Sequence, residues 1–241
     1  MQPVDPNQPV LILGGFLITD EAYASLAGWI QSHQGSIVRV VPSSKFDWLL
    51  TSWAIGWRRL LDRVDAIVQD LQSLSHTGKV TLIGHSSGGV MLRLYLGDQP
   101  FSGRVYAGHL RCNRLVMLGS PHQAVRATPL RALVDKRYPA CYFSHEVDYI
   151  SVAGRLLLDT PYASQFAKRS AANSYQSISG DPQSPGDGLV PLSSALLLQS
   201  RKLVLEHTAH GGLFGNSWYG SPDRIEQWWP IAMGFDQGIN A

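Results

Sequence analysis

Apolar runs of strand length alternate along the chain with segments of helical period. Val10–Leu13 reads as a first strand, residues 36–41 as a second stopped by Pro42, residues 79–83 as a third and residues 114–118 as a fourth. Residues 175–179 and 203–205 read as later strands. Between them lie helical patterns. One runs from Asp20 to about residue 32, with Tyr23, Leu26, Ala27 and Ile30 at helical spacing. A longer one follows Thr51 or Ser52, with Trp53, Trp57, Leu60, Leu61, Val64, Ile67, Val68 and Leu71 on one stripe. Residues 89–96 form a third, and Ser221-Pro222-Asp223 opens the last, with proline in its first turn. Most of these strands are dominated by apolar residues rather than strictly alternating, as strands are when both sheet faces are buried. The pattern predicts an α/β fold: a mostly parallel central sheet with helices on both faces. In such sheets ligands sit beyond the carboxyl ends of the strands, so the loops after each strand are where chemistry is expected.

Composition narrows the picture. The chain has 241 residues, a net charge of +2 and 44% apolar residues, which suits one domain over 1–241 with a sizeable core. A charge this near neutral gives no reason to expect nucleic acid as a partner. The two cysteines, Cys112 and Cys141, imply no disulfide framework and read as reduced, buried thiols. The N-terminal stretch MQPVDPNQ has no positive charge before a short apolar run, and no segment reaches membrane-spanning length without charge or glycine. The expectation is a soluble, cytoplasmic protein.

The stretch KVTLIGHSSGGVML, residues 79–92, carries the strongest chemical signal. A β-branched strand runs into Gly84-His85-Ser86-Ser87-Gly88 and then into a helix. In G-x-S-x-G the serine sits on a sharp strand-to-helix turn, and glycines two residues to either side let the turn pack. Only Ser86 has glycine at both positions. It would project above the sheet edge at a helix N-terminus, where partial positive charge favours a developing oxyanion. Ser87 contributes its backbone N–H there rather than its hydroxyl.

On these residues the chain resembles the α/β-hydrolase superfamily, in particular small bacterial and plastid lipase-like esterases, from Val10 to about Trp229. The resemblance implies a Ser-His-Asp triad with Ser86 as nucleophile. It implies an oxyanion hole from the N–H groups of Ser87 and of Phe16, in the loop Leu13-Gly14-Gly15-Phe16-Leu17. Gly14 stands where the family often has a histidine, so that side chain's bracing bond is missing. Asp187-Gly-Leu-Val-Pro191 resembles the acid loop of lipases and implies Asp187 as the acid, with Asp181 as competitor in an Asp-Pro turn. His210, followed by Gly211-Gly212, is implied as the base, with His207 at the strand end as the alternative. His85 and His122 would brace the site. A cap or lid insert is expected at about 122–173; its Leu156, Leu157, Leu158 and Tyr162 either line an acyl pocket or pack the cap onto the body. Phe46, Trp48 and Leu49 read as a loop near the rim. Trp48 faces either lipid there or the sheet. No cofactor or metal is implied. The expected activity is hydrolysis of a hydrophobic acyl ester, a lipid foremost, with peripheral membrane contact a further expectation. An acyltransferase or thioesterase would use the same triad, and a non-catalytic binding module on the fold would break it.

Overall fold

The computed structural model describes residues 2–158, 165–212, 214–215 and 217–235. Six parallel strands form its sheet: β1 (Val10–Leu13), β2 (Val38–Val40), β3 (Val80–His85), β4 (Cys112–Leu118), β5 (Asp148–Arg155) and β6 (Arg201–Glu206), in the order β2-β1-β3-β4-β5-β6. The chain steps outward from β1 to β2, then returns to the other side of β1 as β3. This reversal leaves a crevice between the carboxyl ends of β1 and β3, where ligands bind in doubly wound sheets. Leu13 pairs with Gly84 there, so the Gly14-Gly15 turn and the Ser86 turn leave the sheet side by side.

Both sheet faces are buried, which is why the strands show no polar alternation. Leu11, Leu13, Leu82, Leu115 and Met117 face one core together with α3 (Ala54–Leu74) and α4 (Ser87–Tyr95). Val10, Ile12, Ile83, Val116 and Leu118 face the other, against α1 (Ala24–Gln34) and α8 (Pro222–Met233). The remaining helices are α2 (Lys45–Leu50), α5 (Pro129–Arg137), α6 (Gln165–Ser179) and the single turn α7 (Leu192–Ala195). Cys112 and Cys141 are free and buried.

Four expectations change. Residues 175–179 are the end of α6, not a strand: buried Ala171 and Tyr175 are four apart on one helical face. Trp53 is 64% exposed rather than core, because it is the extended N-cap of α3 and so lies off the stripe of Trp57, Leu60, Leu61, Val64, Val68 and Leu71. Residues 45–50 are α2 rather than loop, begun by a capping box between Ser44 and Asp47. The segment 122–173 is not one excursion from the sheet, since it contains β5, which pairs with both β4 and β6. Among the described residues no helix is long and apolar enough to cross a membrane.

Candidate active site

Ser86 joins β3 to α4 at φ 53° and ψ −125°, a left-handed conformation that a side-chain-bearing residue adopts at a cost. The surroundings hold it there. Its N–H donates to Leu118 O at 2.9 Å. A Cβ on Gly84 would strike the backbone of Gly89, and one on Gly88 would strike the carbonyls of Leu13 and Gly14. The two framing glycines are therefore required by close backbone approach, of strand to helix and of helix to the neighbouring loop. Ser87 is the first residue of α4, so its N–H has no carbonyl one turn back to bond.

The loop after β1 lies directly against the serine: a Cβ on Gly15 would come 2.8 Å from Ser86 Cβ. Gly15 O accepts from Ile18 N–H at 3.1 Å. That carbonyl shares a peptide plane with Phe16 N–H, so anchoring one aims the other. On the preceding peptide, Gly15 N–H donates to Tyr23 Oη at 2.8 Å. The Tyr23 ring fills the space a side chain at residue 14 would need, with its Cε2 2.6 Å from a Cβ there.

His210 and Asp187 meet through His210 Nδ1 and Asp187 Oδ2 at 2.8 Å. A carboxylate oxygen accepts, so the proton is on Nδ1 and the Nε2 lone pair is free. The histidine's backbone is held on both sides. Its N–H donates to Asp187 O at 2.8 Å, and its carbonyl accepts from His85 Nε2–H at 2.9 Å. The His85 and His210 rings lie 4.7 Å apart, which puts His210 beside the residue that precedes Ser86. Asp187 is fully buried, and its carboxylate accepts four hydrogen bonds. Oδ2 takes His210 and the Tyr219 O–H at 2.7 Å; Oδ1 takes the N–H groups of Leu189 at 3.0 Å and Val190 at 2.7 Å. Tyr219 Oη in turn accepts from Gly154 N–H at 2.7 Å, and Tyr175 Oη accepts from Gly188 N–H at 2.7 Å. Burial, and then the Asp187 charge, hold the Tyr219 phenol well above its usual range. It stays a donor to Asp187 at any working pH.

The structure thus brings Ser86, His85, His210, Asp187 and the Gly14–Phe16 turn together at the crevice. The competitors lie elsewhere. Asp181 closes an exposed turn on Gln183 N–H at 2.9 Å, and exposed His207 uses its carbonyl on Arg224. His122 is buried beside Arg93 and Ser194, with no bond to Asp187 or His210.

Two substrate-binding expectations meet the structure differently. Trp48 does not face the rim. It is fully buried, and its indole N–H donates to Ile18 O at 3.0 Å and Ser43 Oγ at 3.2 Å, because α2 turns its Trp48 side inward and leaves Phe46 and Leu49 outside. It braces the loop behind Phe16 instead of touching substrate. Leu157, 52% exposed, lines a cleft of about 600 Å³ between the end of β5, α6 and residues 182–186, whose lining includes neither Ser86 nor His210. Tyr162 lies outside the described residues.

Residues 9–177 match the family model described as palmitoyl protein thioesterase, more than half of the chain and all of β1 through β5. The chain belongs to the palmitoyl protein thioesterase family. Among solved structures it is similar to the mature form of the Bacillus licheniformis lipase BlEst2 (TM-score 0.61, 13% identity, covering 97% of this chain and 94% of that one). A Listeria innocua gene product is also similar (TM-score 0.56, 15% identity, 92% of each chain). At such identities the likeness is one of fold, and that fold is the α/β-hydrolase fold. No curated protein matches the chain. As a member of this family it is a hydrolase of the α/β superfamily, of the lipase/esterase or thioesterase kind. The match ends ten residues before Asp187 and so reaches neither Asp187 nor His210.

Sequence reasoning missed Tyr23, Tyr175 and Tyr219. Tyr23 reads as one more apolar position on a helical stripe, and Tyr219 lies 32 residues from the carboxylate it serves, a separation that no local spacing reveals.

Proposed function

We propose that the protein is a serine hydrolase of hydrophobic acyl esters, with Ser86 as nucleophile, His210 as base and Asp187 as the acid that orients it. The observation that carries this is a serine at positive φ, next in sequence to His85, whose ring lies 4.7 Å from that of His210, a histidine whose Nδ1 is held by a buried, fully bonded carboxylate. Ser86 Oγ attacks the acyl carbonyl carbon and its proton passes to His210 Nε2. The N–H groups of Phe16 and Ser87 receive the oxyanion. Collapse expels the alcohol or thiol, which takes the proton from His210. Water, activated by the same nitrogen, then attacks the acyl-enzyme and releases the carboxylic acid and Ser86.

The apolar surroundings support a hydrophobic acyl group. Phe16, Leu17, Phe46 and Leu49 are all exposed, and Trp48 ties their two segments together through Ile18. Such a patch also suits contact with a lipid surface. A thioester is the second reading, and the family match favours it. The sulfur leaving group needs less protonation, so the same residues serve.

The test is end-point labelling by a fluorophosphonate together with turnover of p-nitrophenyl esters and acyl thioesters of graded length. Ser86→Ala should lose both labelling and on the order of 10⁴-fold in kcat while remaining folded. Labelling that survives in Ser86→Ala and disappears in Ser87→Ala overturns the assignment.

A further inference from the structure

We infer that Tyr23 and His85 are positioning residues that lock the oxyanion loop to the catalytic base through one proton-ordered chain of hydrogen bonds. This rests on the function proposed above. The chain runs Gly15 N–H to Tyr23 Oη at 2.8 Å, Tyr23 to His85 Nδ1 at 2.8 Å, and His85 Nε2 to His210 O at 2.9 Å. Its direction is forced from both ends. An amide N–H only donates, so the Tyr23 proton points at His85 Nδ1. A carbonyl only accepts, so the His85 proton lies on Nε2. A protonated His85 could not accept from Tyr23. Full burial disfavours that cation, and repulsion from His210 adds to it. Tyr23 is equally enclosed, and burial keeps its phenol protonated.

The two ends of this chain are the parts that must agree in the transition state. Gly15 leads into Phe16, whose N–H receives the oxyanion, and the His210 backbone carries the base. Gly14 offers no side chain to brace the loop, and the Tyr23 hydroxyl supplies the brace from α1's entry turn instead. His85 occupies the free position of Gly-His-Ser-Ser-Gly, so the link passes directly beside the nucleophile.

Tyr23→Phe and His85→Gln each break the same Tyr23–His85 link, and glutamine keeps a donor for the His210 carbonyl. We compare kcat per fluorophosphonate-titrated site on a short p-nitrophenyl ester for the two variants and the double variant, and turnover per mole of protein for Ser86→Ala. Tyr106→Phe, which removes a hydroxyl bonded to Asp62 at 2.9 Å far from the site, is the control for lost stability alone. Tyr23→Phe should lower kcat by about 10- to 100-fold, less than outright loss of an oxyanion donor. KM should stay within about threefold, because the ground state uses neither end of the chain. The double variant should be no slower than the slower single variant, since one link cannot be broken twice. Tyr106→Phe should keep kcat. Wild-type kcat in Tyr23→Phe, additive losses in the double variant, a loss confined to KM, or an equal loss in Tyr106→Phe each overturns the link alone. Turnover surviving in Ser86→Ala overturns the parent function and the link with it.

Discussion

Ser86 holds a backbone conformation that costs on the order of 1–3 kcal/mol, and the structure maintains it through neighbours rather than through the residue itself. The glycine frame around it was legible because close backbone approach leaves a trace in sequence. Trp48 left no such trace. In KFDWLL the apolar residues Phe46, Trp48, Leu49 and Leu50 crowd together, and nothing local says which face turns inward. Phe46 and Leu49, three apart, share the exposed face. Trp48→Ser should therefore act through the core. It removes a fully buried indole and two hydrogen bonds, and large-to-small changes of aromatic core residues cost about 3–5 kcal/mol. The melting temperature should drop and turnover of short and long esters should fall alike. Phe46→Ser should leave short-ester turnover unchanged. A Trp48→Ser protein with wild-type melting temperature would mean that the loop behind Phe16 needs no such brace.

At the scale of elements, what the sequence revealed depended on length. β1, β3 and β4 are rich in apolar residues and have helices beside them, so their types and order could be read. β5 has the polar or small residues Ser151, Ala153 and Gly154 among its apolar ones, and it hid inside an apparent insert. The end of α6 resembles a strand in sequence because five residues, 175–179, are too short a window to separate a period of two from one of 3.6. α2 is only six residues long, too short to stand by propensity, and it depends on its cap. Asp47 closes that cap on Ser44 and also meets Arg63 at 3.0 Å and Arg59 at 3.4 Å on α3. The Arg63 bond, helped by those from Ser44, holds the Asp47 carboxyl well below the usual carboxylate range, against the opposing effect of burial. The folded form is thus the stronger acid. Its stabilisation is complete above the unfolded value of about 3.9 and is lost as pH falls towards the folded value. Asp47→Asn should lower the melting temperature at neutral pH, and the gap to wild type should narrow as pH is lowered through about 4. A gap that stays constant with pH would assign the loss to shape alone.

For the whole molecule, the legible part of the site was what the chain carries in local motifs: the Ser86 elbow, the acid loop and the Gly-rich turn after His210. What could not be read is the buried scaffolding that joins them across the sheet. That scaffolding includes neutral histidines. His85 is kept well below its usual pKa by burial and then by His210, and His122 by burial and then by Arg93. Unfolding releases both into water, where they titrate near 6.5. Below that pH the unfolded chain binds up to two more protons than the folded one, so stability falls as pH falls. Each histidine contributes a slope of about 1.4 kcal/mol per pH unit, and the pair about twice that, between the unfolded value and the lower folded values. Above about pH 7 both are neutral in either state and this contribution is complete. Urea midpoints should therefore be level from about pH 7 to 8 and decline steeply from about 6 to 5. His122→Gln, which leaves the Tyr23–His85 link intact, should remove about one proton from that slope. A midpoint level down to about pH 5 would mean that both rings already carry a proton in the folded core, and a decline of half the expected steepness that one of them does.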